Sequence, residues 1–217
     1  MLECRACVEM TVMTSLQQLL IQDASQFEVD SENANVCVAS GHQLAERLLH
    51  FRGGRAIVLA MMPSGQAIAE EIARVLRLPQ NILVARELHV DPYPEVAAGG
   101  LSEGSGLCIN RAALRLPGMS LQAIWAEARI VRDDVALLVQ QYRAGRPLPT
   151  CSRRPVILVD DRLGAGLSQL AALQALRRLH PQQCIVAVRA GDEAALQRVA
   201  RQADLVIALE VKGVFHA

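Results

Sequence analysis

Val156-Ile157-Leu158-Val159-Asp160-Asp161-Arg162-Leu163-Gly164-Ala165-Gly166-Leu167-Ser168 is the stretch on which the reading of this chain turns. Its first four residues are apolar and three are β-branched, the composition of a strand buried on both faces, as parallel sheets require. Asp160 and Asp161 are expected at the C-terminal tip of that strand. A Gly164-Ala165-Gly166 turn follows, and then Leu167, Leu170, Ala171, Leu173, Leu176 and Leu179 recur on or near one stripe of a helix. Strand, acidic tip, glycine turn and helix N-terminus together can hold a sugar by its hydroxyls and a phosphate by backbone N–H groups, with the Ser168 hydroxyl as a further donor. At a turn into a loop both carboxylates can bend toward one ligand. The alternative is that one acid caps the helix and the other is solvated.

Outward from this stretch the chain alternates strands and helices. Ser40 is a plausible N-cap for a helix carrying Leu44, Ala45, Leu48 and Leu49, stopped by Gly53-Gly54. A buried strand over 56–61, a turn at Pro63-Ser64-Gly65, a helix through Leu76 and a short strand over 81–85 make a β-α-β unit, which implies a parallel pair. Residues 87–118, with Pro92, Pro94 and several glycines, break the rhythm and suggest an excursion such as a hairpin flap. A long helical pattern over 120–142, with Trp125 on its apolar stripe, leads into a basic loop over 143–155. After the opening stretch come a strand over 185–188, a helix over 192–202 and a strand over 205–209. The fold class is α/β with a mostly parallel sheet.

The bulk composition narrows the function. The 217 residues include 52% hydrophobic ones, enough for one well-cored domain with an appended flap. Lys+Arg and Asp+Glu are both 22, so the chain has no net charge with which to bind nucleic acid or an anionic membrane. Aromatics at 3% are too few for base-stacking platforms. The six cysteines follow no framework spacing, and Cys4-x-x-Cys7 lacks a second pair that would complete a zinc site. The absence of a signal peptide or long apolar run points to the cytoplasm. Residues 1–39 are the least readable, apart from a short helical pattern over 10–21.

Residues 156–168 resemble the phosphoribosyl-diphosphate (PRPP) motif of type I phosphoribosyltransferases: four apolar residues, two acids, a short linker and a phosphate loop. Met62-Pro63-Ser64-Gly65 is similar to that family's pyrophosphate loop. Arg86-Glu87-Leu88 through Pro92-Tyr93-Pro94-Glu95-Val96-Ala97-Ala98-Gly99-Gly100 resembles a run of a bacterial phosphoribosyltransferase subfamily. The resemblance covers about Gly41 to Phe215 within a single 1–217 domain. It implies a three-layer fold with about five parallel strands and a flexible hood. It also implies PRPP with Mg²⁺, and transfer of phosphoribose to a nucleobase or similar nucleophile with loss of pyrophosphate. A homodimer is implied as possible.

Carried over by position, Asp160 and Asp161 would hold the ribose hydroxyls. Residues Arg162, Gly164, Ala165, Gly166, Leu167 and Ser168 would hold the 5′-phosphate, and Pro63, Ser64 and Gly65 with Arg86 would lie near pyrophosphate. His89 and Glu95 are hood candidates for acid/base or acceptor contacts. No metal ligand can be assigned. The departures are specific: Arg162 replaces a glycine, Ala165 a threonine, Pro63 an arginine and Glu87 a lysine. The last exchanges attraction for repulsion beside a pyrophosphate. A second reading therefore stands beside the enzyme: a protein that binds PRPP or a nucleotide without turnover.

Overall fold

The computed structural model describes residues 31–212. The chain divides into Met1–Val36 and Cys37–Ala217; the first helix starts in the former, and the packed layers belong to the latter. Cys4, Cys7 and the helix expected over 10–21 lie outside the described residues.

Chain order is α1 (Ser31–Arg47), β1 (Ile57–Met61), α2 (Gln66–Leu76), β2 (Gln80–Leu83), β3 (Ala85–Val90), β4 (Tyr93–Ser102), β5 (Gly106–Ile109), α3 (Leu121–Arg143), β6 (Pro155–Leu163), α4 (Leu167–Arg177), β7 (Gln183–Asp192), α5 (Glu193–Ala200) and β8 (Leu205–Lys212). The main sheet runs β2-β1-β6-β7-β8, and every neighbouring pair is parallel. The opening stretch is its central strand.

Why the strands read as unbroken apolar runs is clear from their faces. Val58, Ala60, Ile157, Val159, Ile185 and Ala187 pack with Leu44, Ile68, Ile72 and Ile124 of α1, α2 and α3. Their alternates, Ile57, Leu59, Val156, Leu158, Val186 and Val188, pack with Leu167, Leu170, Leu173 and Val199 of α4 and α5. Each fully buried Val, Leu or Ile contributes roughly 1.5–3 kcal/mol, and a strand sandwiched between helix layers needs such residues at every position.

Three expectations need correction. Helix α1 begins at Ser31, well before Ser40; its early turns present exposed residues such as Val38 and carry no apolar stripe by which a sequence would show them. Trp125 is not core: the buried stripe of α3 is Ile124, Ala128, Val131 and Val135, and Trp125 lies one step round the helix, half exposed. Strand β6 does not end at its acids. It stays in register with β7 through Arg162↔Ala190 and Leu163↔Gly191.

Residues 85–109 form a second, antiparallel sheet, β3-β4-β5, where the sequence suggested a flap. It sits on α4 at two glycines. A Cβ on Gly100 would lie 2.2 Å from the Leu167 carbonyl oxygen, and one on Gly106 would lie 1.9 Å from that of Ala171. Only glycine permits such backbone-to-backbone approach. At the Gly106 end of the sheet the buried Arg143 guanidinium pairs with Glu103 and donates to the Ile82 carbonyl at 3.0 Å, while Glu103 accepts from the Val84 N–H at 2.9 Å. That buried pair ties the root of the hood to α3.

Candidate functional site

The site forms where β1 ends and β6 continues. Beyond Met61 the chain turns through Met62-Pro63-Ser64-Gly65, and the Met62–Pro63 peptide is cis. Gly65 lies against β6 so closely that a Cβ there would meet the Val159 carbonyl oxygen at 2.2 Å. This approach delivers the Ser64 hydroxyl to Asp160, donating to Oδ1 at 2.6 Å. From the other side Gln169, on the first turn of α4 and itself buried, donates its Nε2 hydrogen to Asp160 Oδ2 at 2.7 Å. The Ser168 hydroxyl donates to Gln169 Oε1 at 3.0 Å, and the Asp161 N–H donates to Asp160 Oδ1 at 2.8 Å. A continuous chain, Ser64–Asp160–Gln169–Ser168, thus links the turn after β1, the first acid of β6 and the first turn of α4.

Asp160 is only 5% exposed. Burial pushes its carboxyl up to about 6, against the opposing support of Ser64, the Asp161 N–H and Gln169. Asp161 has a different partner. Arg189 of β7 donates from Nε to Asp161 Oδ1 at 2.5 Å and from Nη2 to Oδ2 at 3.1 Å, a two-pronged pair that raises the guanidinium's pKa. Arg189 also approaches Glu210 at 3.6 Å. Because β6 keeps its two-residue alternation, the carboxylates point to opposite faces, and the structure does not bend both toward one point.

The loop before α4 has the geometry of an anion cradle. Gly166, at φ 75°, takes the left-handed conformation that frees glycine from strain, and the first intrahelical donor is the Leu170 N–H, which bonds the Gly166 carbonyl at 3.0 Å. The N–H groups of 167–169 therefore lack intrahelical acceptors. Leu167 contributes only its backbone, since its side chain is core. Ala165 presents its carbonyl to Arg198 of α5, at 2.6 Å from Nη1. Gly164 and Arg162 are exposed.

The hood candidates separate. Arg86 is half-buried on β3 opposite Leu101, and Glu87 faces Gly100 across the ladder. His89 Nε2 lies 3.9 Å from Glu87 Oε2. Glu95 is exposed near the β3–β4 turn, five residues along β4 from Gly100 and so roughly 16 Å away. Three residues of the site were missed from sequence: Gln169, Arg189 and Arg198. Arg189 carried a signal, being a lone cation directly after the apolar run 185–188.

No family model matches the sequence. Two proteins of Mycobacterium tuberculosis, from strains CDC 1551 and H37Rv and each described as a "putative phosphoribosyl transferase", are 30% identical over 178 residues, covering 82% of this chain. A crystal structure of TT1426 from Thermus thermophilus matches with a TM-score of 0.67 and 31% identity, over 83% of this chain and 86% of that one. In sequence the chain is similar to phosphoribosyltransferases. It spans 40% of the length of the two mycobacterial relatives.

Seen as a phosphoribosyltransferase fold, the departures from the family pattern acquire positions. Ala165 leaves the loop one hydroxyl short, and Pro63 brings no cation to the turn after β1. The donor set does not fit a resident Mg²⁺. No cluster of three His, Cys, Asp or Glu side chains suited to a metal occurs among the described residues, Asp160 is held by three donors, and Asp161 is taken by Arg189. No helix among the described residues is long and apolar enough to cross a membrane.

Proposed function

We propose that this protein transfers phosphoribose from PRPP to a nucleobase or similar nucleophile. The observation that carries the reading is the hydrogen-bonded chain Ser64–Asp160–Gln169–Ser168, which ties into one unit the segments matching pyrophosphate, ribose and phosphate sites. In this reading the ribose hydroxyls meet the Asp160–Asp161 segment, with Asp160 also holding Ser64 and Gln169 in place. The 5′-phosphate lies on the N–H groups of the 164–168 loop, and the diphosphate lies near residues 63–65 and Arg86. The bond from the anomeric carbon to diphosphate breaks with its electron pair leaving on oxygen, while a bond from the nucleophile forms. Positive charge developing at that carbon is stabilised by the carboxylates of the Asp160–Asp161 segment. Magnesium would enter with the diphosphate as part of the substrate, consistent with its habit of binding through phosphates and few carboxylates.

A second reading is favoured by Ala165, Pro63 and Glu87, which remove a hydroxyl and a cation and add an anion: binding of PRPP or a nucleotide without turnover. Incubation with PRPP, Mg²⁺ and a panel of nucleobases, with pyrophosphate release as readout, separates the two. Release with at least one base supports transfer. Saturable PRPP binding without release under any base supports the second reading, and absence of binding contradicts both.

A further inference from the structure

Glu87 is the charge that least suits a phosphate site, and its surroundings give it a role. It stands opposite Gly100 in the β3–β4 ladder. Gly100 in turn rests on the backbone of α4, where a Cβ would come within 2.2 Å of the Leu167 carbonyl oxygen and 2.7 Å of the Ser168 nitrogen. The ladder therefore fixes Glu87 beside the first turn of α4. Its carboxylate, one-quarter exposed, is thereby set toward the Leu167 N–H, one of the donors the loop offers to an anion, and that donor opposes the rise in its pKa. The charged groups acting on it are His89 on its own strand and Arg198 from α5, which also clasps the Ala165 carbonyl. Burial raises its pKa, as it does for a carboxyl drawn from water into a packed site.

We infer that Glu87 is a built-in anion occupying the N–H end of α4, so that a phosphate is held there only when the Glu87 carboxylate withdraws. The inference rests on the proposed phosphate-binding role of the 164–168 loop. It gives the lysine-to-glutamate departure a consequence: the resting loop already faces a carboxylate carrying the sign of charge that a phosphate would bring. A phosphorylated sugar then competes with a tethered group, whereas the same sugar without its phosphate does not.

The test is calorimetric titration of the full chain with ribose 5-phosphate and, separately, with ribose. Glu87→Gln keeps the shape and removes the charge, and Glu87→Lys adds the opposite one. The expected result is a gain of at least tenfold in ribose 5-phosphate affinity for Glu87→Gln, a larger one for Glu87→Lys, and unchanged ribose affinity in both. Equal ribose 5-phosphate affinity in all three proteins overturns the inference and leaves the proposed site standing. An equal gain for ribose also overturns it, because the change then reflects a loosened hood. No ribose 5-phosphate binding by any of the three overturns the site reading and the inference with it.

Discussion

Asp160 and Asp161 are identical side chains on adjacent residues of β6, yet the two faces of the strand treat them differently. On the α4 side Asp160 is buried among neutral donors delivered by close backbone packing, and its carboxyl is pushed up to about 6. On the α1 side Asp161 is half-buried and neutralised by the guanidinium of Arg189, and the Cys37 thiol of α1 is raised by burial and, to a lesser degree, by the Asp161 charge. Rigid neutral donors fix a carboxylate's position and leave its charge costly. A long cation offsets the charge and leaves the position adjustable. In a sugar-phosphate site the first arrangement builds the frame and the second can exchange partners with a ligand.

The contrast can be broken most severely at Gly65. Gly65→Ala places a methyl 2.2 Å from a backbone oxygen that cannot move aside, so chemical denaturation should show a loss of about 3 kcal/mol. A loss below about 1 kcal/mol would mean that the approach of the β1 turn to β6 is loose. Next comes the titration of Asp160. Its folded pKa, about 6, exceeds an unfolded value of about 3.9, so the folded state binds more protons between the two. Stability due to this group therefore falls as pH rises through that window, the penalty being absent below it and complete above it. The stability of wild type relative to Asp160→Asn should drop by about 3 kcal/mol from roughly pH 3.5 to 6.5. A flat difference would mean that Asp160 is not desolvated.

Smaller effects probe the partners. Gln169→Leu removes a donor to a buried carboxylate and should cost about 2 kcal/mol at about pH 7, with less loss near pH 4 where Asp160 is protonated. Arg189→Met breaks a partly exposed pair and should cost no more than about 1 kcal/mol. If Arg189→Met proves costlier than Gln169→Leu, the roles of the two faces are reversed.

Much of the fold could be read because parallel strands buried on both sides must be apolar throughout, as 56–61, 156–159, 185–188 and 205–209 are. What could not be read follows different rules. The continuation of β6 through Asp160-Asp161-Arg162-Leu163 is set by backbone pairing with β7, which leaves no side-chain pattern. The hood strands lack alternation because Ala97 to Ser102 are all buried, some against α4 and some against the opposite core. At the site the acids and the glycine turn were visible as a local motif. Their pairing with Ser64, Arg189 and Arg198 joins separate strands and helices, and only tertiary packing shows it.

A Ser64–Asp160–Gln169–Ser168 chain that frames a PRPP site must lose ligand when its acids lose charge. Titration of wild type and of Asp160→Asn/Asp161→Asn with PRPP and Mg²⁺, at matched folding by circular dichroism, tests it most directly. Wild type should bind PRPP saturably, and the double variant at least a hundredfold more weakly. Equal affinity in the two proteins, or no binding by wild type, would contradict it.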